Sequence, residues 1–219
     1  MKRQQHLVIF ARFPVAGAGK RRLAADIGTI GALRFQRIRL ANLLGHLARD
    51  RRWRTWLSAT PDRSGPWPTH VDVLPQGTGD LGRRLARTTR RVPVGPIVII
   101  GSDIPGIEPD DIAGAFEALG DHDVVLGPAP DGGFWLVGLR RTPRLRLPFN
   151  NVRWSTPHTL ADTIREAGGS RVAHLRNLTD VDNAAALDAH PKWDRHIGRM
   201  RDLRDDLVPA GPPSLPKEL

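Results

Sequence analysis

Apolar positions along the chain switch repeatedly between two periods. Short runs dense in Val, Ile and Leu fall at residues 7–11, 55–59, 71–74, 96–101, 123–126, 134–139 and 172–175. Runs of this length read as strands, and the uncharged, β-branched stretch at 97–100 reads as the central one. Between them the period lengthens. Leu40, Leu43, Leu44 and Leu47 recur at i, i+3, i+4 and i+7, as on one face of a helix. Leu81, Leu85, Thr88 and Val92 mark a shorter helix whose opposite face carries Arg83, Arg84, Arg87, Arg90 and Arg91. Ile112, Phe116 and Leu119 mark another. Thr156 followed by Pro157 reads as an N-cap with proline at the first helical position, and Leu160 and Ile164 continue that helix. Residues 184–204 are again helical in pattern. Strands alternating with helices predict an α/β sandwich around a mostly parallel sheet. No repeat or linker divides the chain, so a single domain is expected over 1–207, with the proline-rich stretch 208–219 expected to be a disordered tail.

Composition narrows the chemistry. With 219 residues, 40% of them apolar, the chain has enough material for a core without staples. It has no cysteine, which excludes disulfides, thiolate metal sites and a cysteine nucleophile. The net charge is +10, carried by 29 Arg and four Lys spread over the whole chain. A scattered surplus of this kind argues for an anionic small ligand more than for a nucleic acid. The opening apolar run is five residues long, too short for a signal peptide, and no stretch approaches the ~20 residues of a membrane helix. A cytoplasmic protein without membrane insertion is expected. The sequence is silent on oligomeric state.

The loops carry the candidate chemistry. After the first run comes Pro14-Val15-Ala16-Gly17-Ala18-Gly19-Lys20-Arg21-Arg22. Pro14 and Arg21 defeat a Walker A loop, and Arg22 stands where a dinucleotide fingerprint needs its third Gly. Two glycines and three cations at a strand end still suit a diphosphate or triphosphate, as they also suit a plain turn with solvated bases. Asp103, in Gly101-Ser102-Asp103-Ile104-Pro105, stands just past the central strand, where it can hold Mg²⁺ or Mn²⁺ or form an Asx turn. Asp131-Gly132-Gly133 reads as a β-turn or as the floor of a sugar pocket, with Asp131 a candidate general base. Gln76-Gly77-Thr78-Gly79-Asp80 is another glycine-rich loop opening a helix. Asp180-Val181-Asp182 offers two carboxylates on one side of an extended segment, or a helix cap.

Taken in order, these motifs are more specific than any one of them. Phe10-Ala11-Arg12-Phe13-Pro14 with Gly17 and Lys20, Gly79-Asp80-Leu81-Gly82, Gly101-Ser102-Asp103-Ile104-Pro105, Asp131-Gly132-Gly133, Trp154-Ser155-Thr156 and Asp180-Val181-Asp182 run along most of the chain. This order resembles the radical-SAM/selenodomain-associated transferases, also called arsenosugar-biosynthesis-type glycosyltransferases. More distantly it is similar to molybdenum-cofactor and phospholactate guanylyltransferases. The resemblance implies a Rossmann-like GT-A fold, a three-layer sandwich with a mostly parallel mixed sheet. It implies a nucleotide over the first loop, with Ala11, Arg12, Gly17, Gly19, Lys20, Arg22, Gly79, Asp80 and Ser102 as candidate contacts. Asp103, Asp180 and Asp182 would be metal ligands, and Asp131, Gly132, Gly133 and Trp154 would line the sugar or acceptor pocket. The family usually reads Lys-Thr-Arg where this chain has Lys20-Arg21-Arg22, and Tyr where Phe134 stands.

The leading expectation is therefore a metal-dependent transferase that moves a sugar from a nucleotide donor to a small acceptor, with Lys20 on the phosphates and Asp131 as base. Its rival is a nucleotidyltransferase, which joins a nucleoside triphosphate to a phosphorylated small molecule and releases pyrophosphate. A basic nucleic-acid-binding module is the third expectation.

Overall fold

The computed structural model describes residues 3–62, 65, 67, 71–141 and 146–181. The expected helix over 184–204, the tail and Asp182 lie outside them. Seven strands form one sheet: β1 (His6–Arg12), β2 (Arg54–Thr60), β3 (Asp72–Pro75), β4 (Ile97–Gly101), β5 (Val124–Pro128), β6 (Phe134–Leu139) and β7 (Val172–His174). Their order across the sheet is β3-β2-β1-β4-β6-β5-β7. Every neighbouring pair is parallel except the two that β6 makes, with β4 and with β5. The expected α/β sandwich with a mostly parallel sheet is present.

Burial explains the strand composition. Ile97, Val98, Ile99 and Ile100 are all at most 2% exposed, so both faces of β4 are covered and alternation disappears from its sequence. Each such side chain contributes roughly 1.5–3 kcal/mol by leaving water. One face packs on helices α1 (Arg21–Leu47) and α3 (Pro109–Ala118), through Leu40, Leu43, Leu44, Ile112 and Phe116. The other packs on α2 (Leu81–Arg91) and α4 (Thr159–Glu166), through Leu85, Leu160 and Ile164. Because β1, β3, β4 and β5 run the same way, the loops that follow them emerge at one edge of the sheet. These are the glycine-rich and acidic loops singled out above.

Two local expectations are corrected. Helix α4 starts at Thr159, after a His158 N-cap, and not at Pro157. The Thr156 hydroxyl is engaged in a turn, donating to Arg153 O at 2.8 Å and accepting from His158 N at 3.2 Å, and the Leu160 amide turns to Gly132 O at 2.8 Å. Arg84 leaves the exposed face of α2. It lies half-buried with its guanidinium 5.7 Å from the Phe10 ring, and burial, then Arg12, lowers its pKa.

His6 opens β1 fully buried, its Nδ1 accepting from Trp56 Nε1 at 3.2 Å. Burial first, then Arg141 and Arg54, pull its pKa from 6.5 to about 4. The unfolded chain therefore takes up this proton near pH 6.5 while the folded chain waits until about 4, so stability falls as pH drops through that window. Thermal unfolding of His6→Gln should lose Tm less steeply than wild type between those limits. An unchanged slope would show that His6 is not the group responsible.

Candidate active site

The loop after β1 reaches the site through backbone that glycine makes accessible. Gly17 and Gly19 have φ of 77° and 84°, and Lys20 itself stands in the left-handed region at φ 44°, ψ 45°, immediately before α1. The Lys20 side chain makes no cap bond to its own helix. It runs instead between two carboxylates, with Nζ 3.5 Å from Asp103 Oδ2 and 3.5 Å from Asp180 Oδ2. Its side chain is 7% exposed, against 44% for Asp103 and 32% for Asp180. The ammonium is thus sunk beneath two acids that still face solvent. Arg21 and Arg22 join these three around a cavity of about 410 Å³. The amide-rich start of α1, with no acidic residue in its first turn, adds positive potential to the same place.

Residues not singled out in the sequence position the two acids. Arg39, on α1, is buried and donates through Nη2 to Ile104 O, pinning the loop of Asp103 from below. Burial holds its pKa down to about 10, and Asp103 and Glu108 oppose that shift. Arg176, after β7, donates to Gly106 O at 2.7 Å and to Asp111 at 2.6 and 2.7 Å, tying the Asp180 segment to the Asp103 loop. Val181 is completely buried with Leu23, Ala32, Phe35 and Ile38 on α1, which fixes Asp180 over Lys20. A weak cue was present for two of the three. Arg39 interrupts an apolar helical face, and Val181 is an apolar residue between two acids. Asp103 does not cap α3, which has its own capping box from Glu108 and Asp111.

The other expected site residues take varied places. Ser102 Oγ donates to Asp103 Oδ1 at 3.2 Å and so stands beside the acid pair. Ala11, next to last in β1, is buried, its carbonyl accepting from Gln76 Nε2 at 3.1 Å, and that bond fastens the 76–80 loop to β1. Arg12 is exposed at the end of β1. Asp80 is the N-cap of α2, accepting from Arg83 N at 2.8 Å, and Gly79 precedes it at φ 104°. Asp131 accepts from Gly133 N at 2.9 Å within the β5–β6 turn, and Gly132 presses against the backbone of Pro157. This turn lies at the same sheet edge but does not line the cavity around Lys20. Trp154 packs on Phe134 and Phe149, with centroids 6.2 and 6.3 Å away. Its turn is held by Asp162, which is buried and accepts from Arg153 N, Nε and Nη2 and from Arg165 Nη1; the Arg153 bonds hold this carboxyl well below the usual range. Among the described residues no group of three or more His, Asp or Glu is placed to hold a metal, so Asp103 and Asp180 form a pair.

Residues 40–156 match the family described as "Uncharacterized protein conserved in bacteria (DUF2064)". The chain belongs to this family. A 113-residue stretch of this DUF2064 protein is 34% identical to 2-phospho-L-lactate guanylyltransferase from Methanopyrus kandleri, covering 50% of this chain and 57% of that one. The DUF2064 chain thus spans little more than half the length of that relative. In three dimensions it is similar to a candidate nucleotide-diphospho-sugar transferase from Desulfovibrio desulfuricans G20, with TM-score 0.78 and 24% identity over 94% of this chain and 92% of that one. It also resembles the inositol-1-phosphate CTP transferase of T. maritima, with TM-score 0.53 and 11% identity over 87% and 94% of the two chains. At these identities the structural likeness shows a shared GT-A and nucleotidyltransferase type of fold, and the named activities support an enzyme. The guanylyltransferase and the CTP transferase are nucleotidyltransferases by name, whereas the sequence motifs put glycosyl transfer first. The narrower arsenosugar label rests on the sequence motifs alone.

Proposed function

We propose that this DUF2064 protein is a nucleotidyltransferase that joins a nucleoside monophosphate unit, taken from a triphosphate, to a phosphorylated small molecule. The observation that carries this reading is the meeting of Lys20, Asp103 and Asp180, with Arg21 and Arg22, around one cavity. Three cations and the start of α1 suit a triphosphate. The guanylyltransferase likeness supports the same chemistry. In the reaction an oxygen of the acceptor phosphate bonds to the α-phosphorus, the bond from that phosphorus to the bridging oxygen breaks, and pyrophosphate leaves. Lys20, Arg21 and Arg22 meet the charge that builds on the departing diphosphate.

The acid pair fits a divalent cation. Mg²⁺ is usually held by one or two carboxylates and completes its shell with waters and substrate phosphates, so Asp103 and Asp180 would suffice for Mg²⁺ or Mn²⁺. Asp182, beyond the described residues, is proposed as a further ligand. When bound, the cation supplies neutralisation of the triphosphate charge. An acceptor phosphate is already ionised at neutral pH, so this route asks no base of Asp131. Glycosyl transfer to a hydroxyl would ask for one.

A coupled assay for pyrophosphate, run with each of the four ribonucleoside triphosphates and a panel of phosphorylated hydroxy acids and sugar phosphates, tests the reading. Pyrophosphate release that needs both substrates and disappears with EDTA is expected. Release of a nucleoside diphosphate from nucleotide sugars, with no pyrophosphate from any triphosphate, would replace it with glycosyl transfer.

A further inference from the structure

The exposed face of α2 lines a second cavity of about 960 Å³, which opens beside Asp80 and runs along the helix. Arg83, Arg87, Arg90 and Arg91 form one wall, with Asn150 and Trp154 among the residues opposite. Arg90 also belongs to an adjoining cavity of about 760 Å³ that reaches Arg3 and Arg146.

What sets these arginines apart is that four of them share one cavity wall without carboxylate partners. Several surface guanidiniums elsewhere do find carboxylates, among them Arg52 with Asp50, Arg54 with Asp72, Arg153 with Asp162 and Arg176 with Asp111. Among the described residues none of the four arginines of this wall has such an ion pair. Arg87 and Arg91 donate to the backbone carbonyls of Gln76, Thr78 and Pro75, which fixes them in place and leaves their charge uncompensated. Like charges at i, i+4 and i, i+3 weaken a helix, so Arg83, Arg87 and Arg90 on one stripe are unfavourable for α2 alone. A cavity of this size falls in the range of small-ligand sites. The rise of a helix puts Arg83 and Arg90 about 10 Å apart along its axis, which selects a ligand whose anionic groups are separated, not a single phosphate. The cavity starts at the 76–80 loop, which Gln76 fastens to Ala11 at the end of β1, beside the loop that carries Lys20.

We propose that this groove is a second anion site, and that it binds the non-reacting anionic part of the acceptor. The acceptor is then a small molecule with at least two anionic groups, one at the reacting phosphate and one or more carboxylates or phosphates held by Arg83 and Arg90. The acceptor assignment rests on the nucleotidyl-transfer reading, whereas the anion site stands without it.

Isothermal titration of the full chain with inorganic tripolyphosphate in EDTA, at 150 mM salt, separates the two. Wild type is expected to bind two equivalents, Lys20→Ala one, and the double variant Arg83→Ala/Arg90→Ala one. Both arginine side chains are exposed and make no hydrogen bond among the described residues, so the double variant should keep its Tm. A single equivalent in wild type, or two in the double variant, would overturn the anion site. If the pyrophosphate assay reports turnover, the double variant should raise the acceptor KM at least tenfold with kcat and nucleotide KM unchanged. An unchanged acceptor KM beside a lost equivalent would overturn the acceptor assignment. Absence of pyrophosphate from any substrate pair would count against nucleotidyl transfer, while the stoichiometry still decides the groove. A 20-mer oligonucleotide that binds more tightly than tripolyphosphate, with a steep salt slope lost in the double variant, would overturn the proposal in favour of nucleic acid.

Discussion

Lys20→Ala is expected to lower kcat about 10²–10³-fold, the usual cost of removing one preorganised group that meets developing charge. Two effects act in the same direction. The leaving pyrophosphate loses its most buried cation, and Asp103 and Asp180 lose the ammonium that stands 3.5 Å from each. Those carboxylates then repel each other, and a divalent cation meets them without competition from the ammonium. Mg²⁺ without nucleotide should therefore raise the Tm of Lys20→Ala by more than that of wild type. Lys20→Arg keeps the charge but replaces a compact ammonium with a planar fork, and should recover only part of the rate. Steady-state pyrophosphate release, read beside thermal unfolding with and without Mg²⁺, measures all three. Full turnover in Lys20→Ala would remove this residue from the site.

Gly132→Ala should be the most damaging single-methyl change near the site. Gly132 has φ +82°, which alone costs an alanine roughly 1–3 kcal/mol. A Cβ there would also fall against the Pro157 carbonyl, with that residue's C and Cα 2.6 Å away, and backbone has no flexible end to yield. Overpacking of this kind typically costs ~1–3 kcal/mol more. The combined loss of about 2–6 kcal/mol corresponds to a Tm drop on the order of 5–20 °C for a chain of this size. Urea unfolding of Gly132→Ala against wild type gives the number. A change below ~0.5 kcal/mol would mean that the turn and the Pro157 segment separate freely. The Gly132 carbonyl also accepts the Leu160 amide, so the damage should spread to the start of α4.

Much of the frame was readable in order along the chain. All seven apolar runs are strands, because burial on both sheet faces selects short β-branched stretches. The glycine-rich and acidic loops fall at one edge because the strands before them are parallel. The reading failed where local cues competed with tertiary ones. Thr156 and Pro157 have the form of a helix start, yet the Leu160 amide is taken by Gly132 from another loop and the helix begins later. Arg84 has the period of an exposed face, yet the Phe10 ring and the neighbouring loops cover it. Arg39 and Arg176 carry no motif at all. Their importance lies in carbonyls at Ile104 and Gly106, which no spacing rule connects to them.

By itself, the sequence determined the seven strands, the layer architecture and the set of acids and bases available at the loops, since these follow from periodicity and residue type over short spans. Tertiary structure alone decided which of them meet. Lys20 and Asp180 are 160 positions apart, and their contact depends on Val181 burying itself against α1. Composition likewise supplied an excess of arginine, but only packing showed which guanidiniums have carboxylates and which line an open groove. A charge acquires its role from the distance to its partners, and distances across a fold are set by the burial of other residues.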